Sequence, residues 1–408
     1  MRAFKLTQYT LIFLAFNLIF LPSCSDSNST EIVPVVRELS PVEEGVSLGA
    51  GNFAFDLMSV IEAGAPEENF FISSFSVSAA LSMVANGATD EAQAEFIKTL
   101  GLEGMSIDDI NASFKTLNEY IYSLDPKVNL NVANSNWYTN RYSINPGFEN
   151  TLVEFYDAEV FAKDFTDPST LNEINGWVED ETNGRIKNIL SEIDPDHVMF
   201  LINAIHFKAQ WTSQFDEEAT REMPFISVDG TSVETPTMVG EEIKHWTAYW
   251  QEIDASVIEI PYGNENYGLT IVMPDDPTTI EGLITQISVD QLNTVLADSV
   301  TLIKELHLPK ISLDFKKDLK DDLMGMGMPV NDLEALFEES LSLEISEVIH
   351  QSFLEINEEG TEAAAATVVG IVETSLPVAT QVDRPFLFFI RERNSGTILF
   401  SGKFVDPS

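Results

Sequence analysis

Residues 358–377 read EEGTEAAAATVVGIVETSLP, and the fold turns on how this stretch is taken. By propensity Glu362–Ala366 favours a helix, with Gly360 and Thr361 placed as its start. The β-branched run that follows, Thr367-Val368-Val369 and Ile371-Val372, favours a strand. An isolated helix needs about 12–15 residues to hold without help, and Val368 onward opposes it. Loop, short helix and strand all remain open from these residues alone.

Upstream, the chain begins MRAFKLTQYTLIFLAFNLIFLPSC, with Arg2 and Lys5 before an apolar run that ends at Leu21. This is the build of a secretory signal peptide over 1–23, and its apolar core is shorter than the ~20 residues a spanning helix needs. Cys24 is the one cysteine of 408 residues, which rules out an intramolecular disulfide. Leu21-Pro22-Ser23-Cys24 resembles a bacterial lipobox, which makes Cys24 the lipidated first residue of the mature chain. The alternative is an ordinary signal peptide cleaved a few residues further on. Residues 24–45 are polar and aperiodic and read as a tether, and 46–408 as a single compact body. The expected location is the bacterial cell envelope, periplasmic or outer-surface, with release to the exterior as the alternative.

The net charge of −44 excludes whole classes of partner. So acidic a surface repels phosphate backbones and anionic lipid heads, so neither nucleic acid nor a polybasic membrane contact is expected. The lipid anchor is then the only membrane attachment.

Apolar residues recur at helical spacing over 51–62, 77–86 and 107–122. From 128 the pattern changes. VNLNVANSNWY and SVIEIPY (256–262) alternate as half-buried strands do, whereas MFLINAIHF (199–207) is apolar nearly throughout, as in a central strand covered on both faces. PFLFFIRERNSGTILFSGKF (385–404) reads as a hairpin turning at Asn394-Ser395-Gly396. Helices dominate the first half and strands the second, so the class is α+β on a large, mostly antiparallel sheet.

Signs of catalysis are few. His197, His206, His245, His307 and His350 are scattered, and none forms a metal pair at helical spacing, so no metal site is expected. There is no nucleophile elbow and no phosphate loop. Acidic pairs such as Asp108-Asp109 and Glu358-Glu359 read as solvated surface. The chain is not expected to be an enzyme, and no cofactor is expected.

Over about 48–407 the residues resemble the serpins, and among them the lipoprotein serpins of bacteria of the miropin type. VDRPFLFFIRERNSGTILFSGKFVDP is similar to the family's C-terminal signature and EEGTEAAAAT to its hinge. NFFISSFSVSAALSMVANGAT (69–89), VANSNWY (132–138), INGWVEDETNGRIKNIL (174–190), FLINAIHFKAQW (200–211) and ISEVIHQSFLEINEEGTEAAAAT (345–367) follow in the family's order. Ser74 and Ala209 depart from it, standing where proline and glycine are usual. The resemblance implies three sheets, many helices and an exposed reactive-centre loop. It also implies a suicide-substrate inhibitor: a protease cuts the loop, the acyl-enzyme forms, and the loop inserts as a new central strand.

The resemblance assigns the hinge to Glu358, Glu359, Gly360, Thr361, Glu362, Ala363, Ala364, Ala365, Ala366 and Thr367. Asn203 and His350 match the gate between the central strands, with Ser73 and Ser76 in the same cluster, and Trp211 matches the point where the loop enters. The reactive bond falls at Thr374-Ser375, with Val372 and Glu373 before it shaping specificity and Thr374 an uncommon residue there. Physical conditions agree. A strand inserted between two others needs every amide, and no proline occurs between 358 and 376. Alternate side chains enter a packed interior, and Thr361, Ala363, Ala365 and Thr367 are small. About a dozen residues gaining ladder bonds at ~0.5–1.5 kcal/mol each would exceed ~6 kcal/mol, comparable with a whole domain's stability, so the uncut protein is metastable.

With no Lys or Arg from 361 to 383, the expected target is an elastase-like, subtilisin-like or papain-like protease, and an acid-specific enzyme cutting after Glu373 is the alternative. Lys115 is the only base in 106–123, so no heparin-like cofactor is expected, and the protein is expected to be a monomer. A non-inhibitory serpin acting as chaperone, carrier or decoy is the second function class, and a sugar-binding surface lipoprotein the third.

Overall fold

The structure is a computed structural model, and it describes residues 36–330, 332–339, 345–361 and 379–407. The first half runs α1 (Pro41–Gly64), β1 (Phe70–Ile72), α2 (Ser74–Ala85), α3 (Asp90–Thr99), α4 (Ile107–Ser123), β2 (Val128–Thr139), α5 (Pro146–Tyr156), β3 (Glu159–Lys163), α6 (Ser169–Glu181) and β4 (Met199–Gln210). The second half runs β5 (Arg221–Ile226), β6 (Ser232–Trp250), β7 (Ala255–Tyr262), β8 (Tyr267–Pro274), α7 (Val289–Ala297), β9 (Val300–Pro309), β10 (Ile311–Asp318) and α8 (Lys320–Gly325). It continues through β11 (Glu347–Ile356), β12 (Gly360–Thr361), β13 (Thr380–Gln381), β14 (Phe386–Glu392) and β15 (Ile398–Phe404).

Helix ends follow local chemistry. Ser40 caps α1 in a reciprocal capping box with Glu43, Pro41 opens its first turn, and Thr89, Ser106 and Asn145 cap α3, α4 and α5.

The strands form two hydrogen-bonded sheets. One has the order β10-β11-β12-β4-β2-β3; the other runs β1-β15-β14-β8-β7-β6-β9-β13, with β5 on β6. Where the resemblance implies three sheets, two are fused here: β6 bends at an irregularity between Gly240 and Ile243 yet pairs with β9 on both sides of it. The central sheet is mostly antiparallel, as expected, and within it β4 and β11, and β2 and β3, pair in parallel.

The apolar run at 199–207 lies in β4 because that strand faces two cores. Phe200 and Ile202 pack with Ile174 and Val178 of α6, while Leu201, Ile205 and Phe207 face the main core. The alternating runs are buried more deeply than their pattern suggests. In β2, Asn134, Ser135 and Asn136 are all buried, and in β7 so is Glu259, which is 4% exposed. Polar partners serve three of the four: Asn134 bonds Asn203, Ser135 accepts from Trp137 Nε1 at 2.8 Å, and Glu259 carries Arg391 and Arg393 at 3.3 and 2.8 Å, whereas the Asn136 amide has no partner among the described residues.

The turn at 394–396 closes on one carboxylate. Glu392 accepts from the amides of Asn394 and Ser395 at 2.8 and 2.7 Å, and Gly396 takes a left-handed φ of 79°.

Lys403 of β15 is fully buried and bonds Glu62 Oε1 at 3.0 Å and the Pro66 carbonyl at 2.7 Å. Lys403→Met should leave Glu62 buried without its counter-charge and cost about 3–5 kcal/mol, measured by urea unfolding at neutral pH.

Candidate functional site

The central sheet is joined at the bottom and split at the top. Glu347–Ser352 of β11 pairs with Phe200–Ile205 of β4 in parallel, and above that register the two strands part. Into the split goes β12. Gly360 lies opposite Gln210 and Thr361 opposite Ala209, while Thr361 also pairs with Ile356 on the other side. The chain reverses on Asn357, whose N–H donates to the Gly360 carbonyl at 2.8 Å and whose Oδ1 accepts from the Glu359 and Gly360 amides at 3.1 and 3.3 Å.

Gly360 cannot carry a side chain here. Its φ is 148°, and a Cβ would stand 2.0 Å from the Ala209 carbonyl oxygen.

Glu358 and Glu359, expected as solvated surface, are buried, at 6 and 8% exposed. The reason is that this turn is walled in by the residues after β4. Phe215 and Trp211 donate their amides to the Glu358 and Glu359 carbonyls, each at 2.9 Å. The Glu358 carboxylate accepts from the Thr220 hydroxyl at 2.6 Å and from Lys310 at 3.0 Å. Burial opposes its ionisation, but these donors outweigh burial and hold the carboxyl below the usual range. Glu359 Oε2 has no such donor among the described residues, and burial, then the charges of Glu217 and Glu358, raise its carboxyl.

Trp211 closes the inner wall. Its Nε1 donates to the Asn357 carbonyl at 2.9 Å, and its ring stacks on Tyr262 with centroids 4.3 Å apart and planes 9° off parallel. Thr361, 1% exposed, shares a 2.9 Å hydrogen bond between its hydroxyl and that of Tyr262.

Lower down, His350 and Asn203 are register partners and both buried. Rather than bonding each other, each is tied to a neighbouring element. His350 Nε2 accepts from the Ser73 amide at 3.2 Å, and Asn203 Nδ2 donates to Asn134 Oδ1 at 2.7 Å. The Ser73 hydroxyl donates to the Leu399 carbonyl at 3.1 Å, and the Ser76 hydroxyl is buried without a partner among the described residues. Burial lowers His350 to about 4, so it sits neutral.

The sequence-assigned Glu358–Thr361, Trp211, Asn203, His350, Ser73 and Ser76 thus lie along one seam. Glu362–Thr367, Val372, Glu373, Thr374, Ser375 and Cys24 lie outside the described residues. Sequence reasoning missed Tyr262, Thr220 and Lys310. Tyr262 ends the alternating run 256–262, a position whose pattern hinted only at burial, and Thr220 and Lys310 carry no local signal.

Comparison with known proteins gives one answer along the whole body. The family model described as Serpin (serine protease inhibitor) matches residues 49–407. The leukocyte elastase inhibitor of Xenopus laevis is 32% identical over 380 residues, covering 89% of this chain and all of that one. Among solved structures, human thyroxine-binding globulin complexed with its hormone gives a TM-score of 0.82 at 30% identity, over 90% of this chain and 100% of that one. Tengpin, a thermophilic serpin in its native state, gives 0.80 at 29% identity, over 91% and 96%.

Two outcomes follow from the geometry. Gly360→Ala should destabilise the uncut protein by about 1–3 kcal/mol in urea unfolding, since the left-handed backbone and the Ala209 carbonyl both oppose a methyl group. His350 is neutral in the fold and titrates near 6.5 when unfolded, so below 6.5 the unfolded chain takes up the proton first. Stability should therefore fall as pH drops from 6.5 to about 4 and level off below, by up to about 3 kcal/mol from this residue, and His350→Asn should flatten that slope.

Proposed function

This chain belongs to the serpin family, and from that premise we propose that it is a suicide-substrate inhibitor of proteases. The observation that carries the reading is the seated hinge. Gly360 and Thr361 already lie as a strand between β4 and β11, so residue 362 onward can extend the same strand down the seam.

The target's serine or cysteine attacks the carbonyl carbon of Thr374, and the Thr374–Ser375 amide bond breaks. The Ser375 nitrogen leaves as a new amino terminus after taking a proton, and Thr374 stays on the enzyme as an ester or thioester. Insertion then competes with the water that would hydrolyse that bond. Each residue that inserts gains ladder hydrogen bonds on both sides, and the esterified protease is carried along.

An elastase-like target is supported by the lack of basic residues over 361–383 and by the name of the Xenopus relative, with subtilisin-like and papain-like enzymes as further candidates. The miropin-like character, the lipid anchor on Cys24, a cell-envelope location and a monomeric state belong to the same proposal, and rest on the N-terminal residues and the charge.

A second reading, a carrier, is favoured by a cleft of about 470 Å³ beside α7, where Arg391 and Arg393 meet Trp246, Glu259 and Asn293. Arg393 lies 3.8 Å over the Trp246 ring.

Mixing the protein with elastase-like and subtilisin-like proteases separates the readings. Inhibition predicts a covalent complex that survives SDS, a released peptide beginning at Ser375, and a large rise in melting temperature after a single cut in the loop. Clean cleavage with no complex would instead support the carrier.

A further inference from the structure

We infer that Tyr262 is a positioning residue for strand insertion, holding Thr361 in its inserted place before any bond is cut. The inference rests on the inhibitory reading and adds where insertion starts and what holds that start. Tyr262 is fully buried, and a buried phenol must find a partner. Its hydroxyl meets Thr361 Oγ1 at 2.9 Å.

The ring has little freedom to follow a departing hinge. It stacks on Trp211, meets Phe207 edge-on at 5.4 Å between centroids, and its backbone bridges to Trp211. Withdrawal of Thr361 would strand the phenol in an apolar wall. Through that bond the hinge is tied to β7, a strand of the other sheet, as well as to its two neighbours β4 and β11.

One consequence follows for the reaction. A strand that grows from a seated end does not first have to order its end between the two walls, so insertion gains on hydrolysis of the acyl bond. The described residues on either side of 362–378 are also both paired: Thr361 with Ala209 and Ile356, and Thr380–Gln381 of β13 with Leu306 and His307 of β9.

The test pairs Tyr262→Phe with Thr361→Val, each of which removes one hydroxyl and nearly preserves volume. Hydrogen exchange of the peptide containing Thr361 in the uncut protein reads the seat directly. Titration against an elastase-like protease reads the number of inhibitor molecules consumed per complex. Each variant should speed exchange at Thr361 by about fivefold, the effect of one hydrogen bond. Each should also consume more inhibitor per complex, while the double variant is no worse than either single one. Unchanged exchange in both variants, or effects that multiply in the double variant, would overturn the inference. If the wild-type chain forms no complex, the inhibitory reading fails and the exchange experiment still decides whether Tyr262 seats the hinge.

Discussion

The parallel pairing of β4 with β11, which stops at Ile205 and Ser352, is the constraint on which the rest of the molecule depends. Were it to continue upward, there would be no place for another strand. Were it absent, the two walls would not be held at the spacing a strand needs. Because it ends part-way, the upper halves of the two strands offer unpaired edge groups on either side of a slot. In most proteins such edges are covered or blunted. Here the slot is capped by two residues, Gly360 and Thr361.

Each neighbouring feature bears on whether that slot stays as it is. At the top, Glu358 is held by Thr220 and Lys310, and Trp211 and Tyr262 form the inner wall against which the hinge lies. Lower down, His350 and Asn203 face one another across the joint but spend their hydrogen bonds on Ser73, just before α2, and on β2. The joint is thus closed by ladder bonds and packing, with no side-chain bond spanning the two gate residues among the described contacts. Opening it costs the ladder between the strands, and inserting a strand replaces that ladder with two. Residues 358–361 are also among the few places where acidic side chains of this very acidic chain are buried, which ties the charge state of the hinge to its position.

Much of this was legible in the sequence, for physical reasons that differ by element. Apolar periodicity located α1, α2 and α4, because a helix on a core must bury one stripe. The nearly continuous apolar run at 199–207 announced β4, because a strand between two cores buries residues on both faces. Thr361, small and followed by no proline before 377, is packed and laddered as its residue type suggests. What the sequence hid was long-range. Glu358 and Glu359 look like surface because burial of a carboxylate depends on donors far along the chain, here Thr220 and Lys310. SVIEIPY looked half buried because the arginines that satisfy Glu259 lie some 130 residues later. The parallel direction of β11 against β4 follows from the path of the whole chain, and alternation within a strand carries no sign of it.

We propose that a cut loop becomes a strand between β4 and β11. The most direct measurement is a crystal structure of the protein after one cleavage between residues 362 and 378. Residues 361–372 should then run antiparallel to β4 and to β11 along the full seam, with the His350–Asn203 register partnership gone. Finding β4 and β11 still paired over Phe200–Ile205 and Glu347–Ser352, with the cut ends outside the sheet, would contradict it.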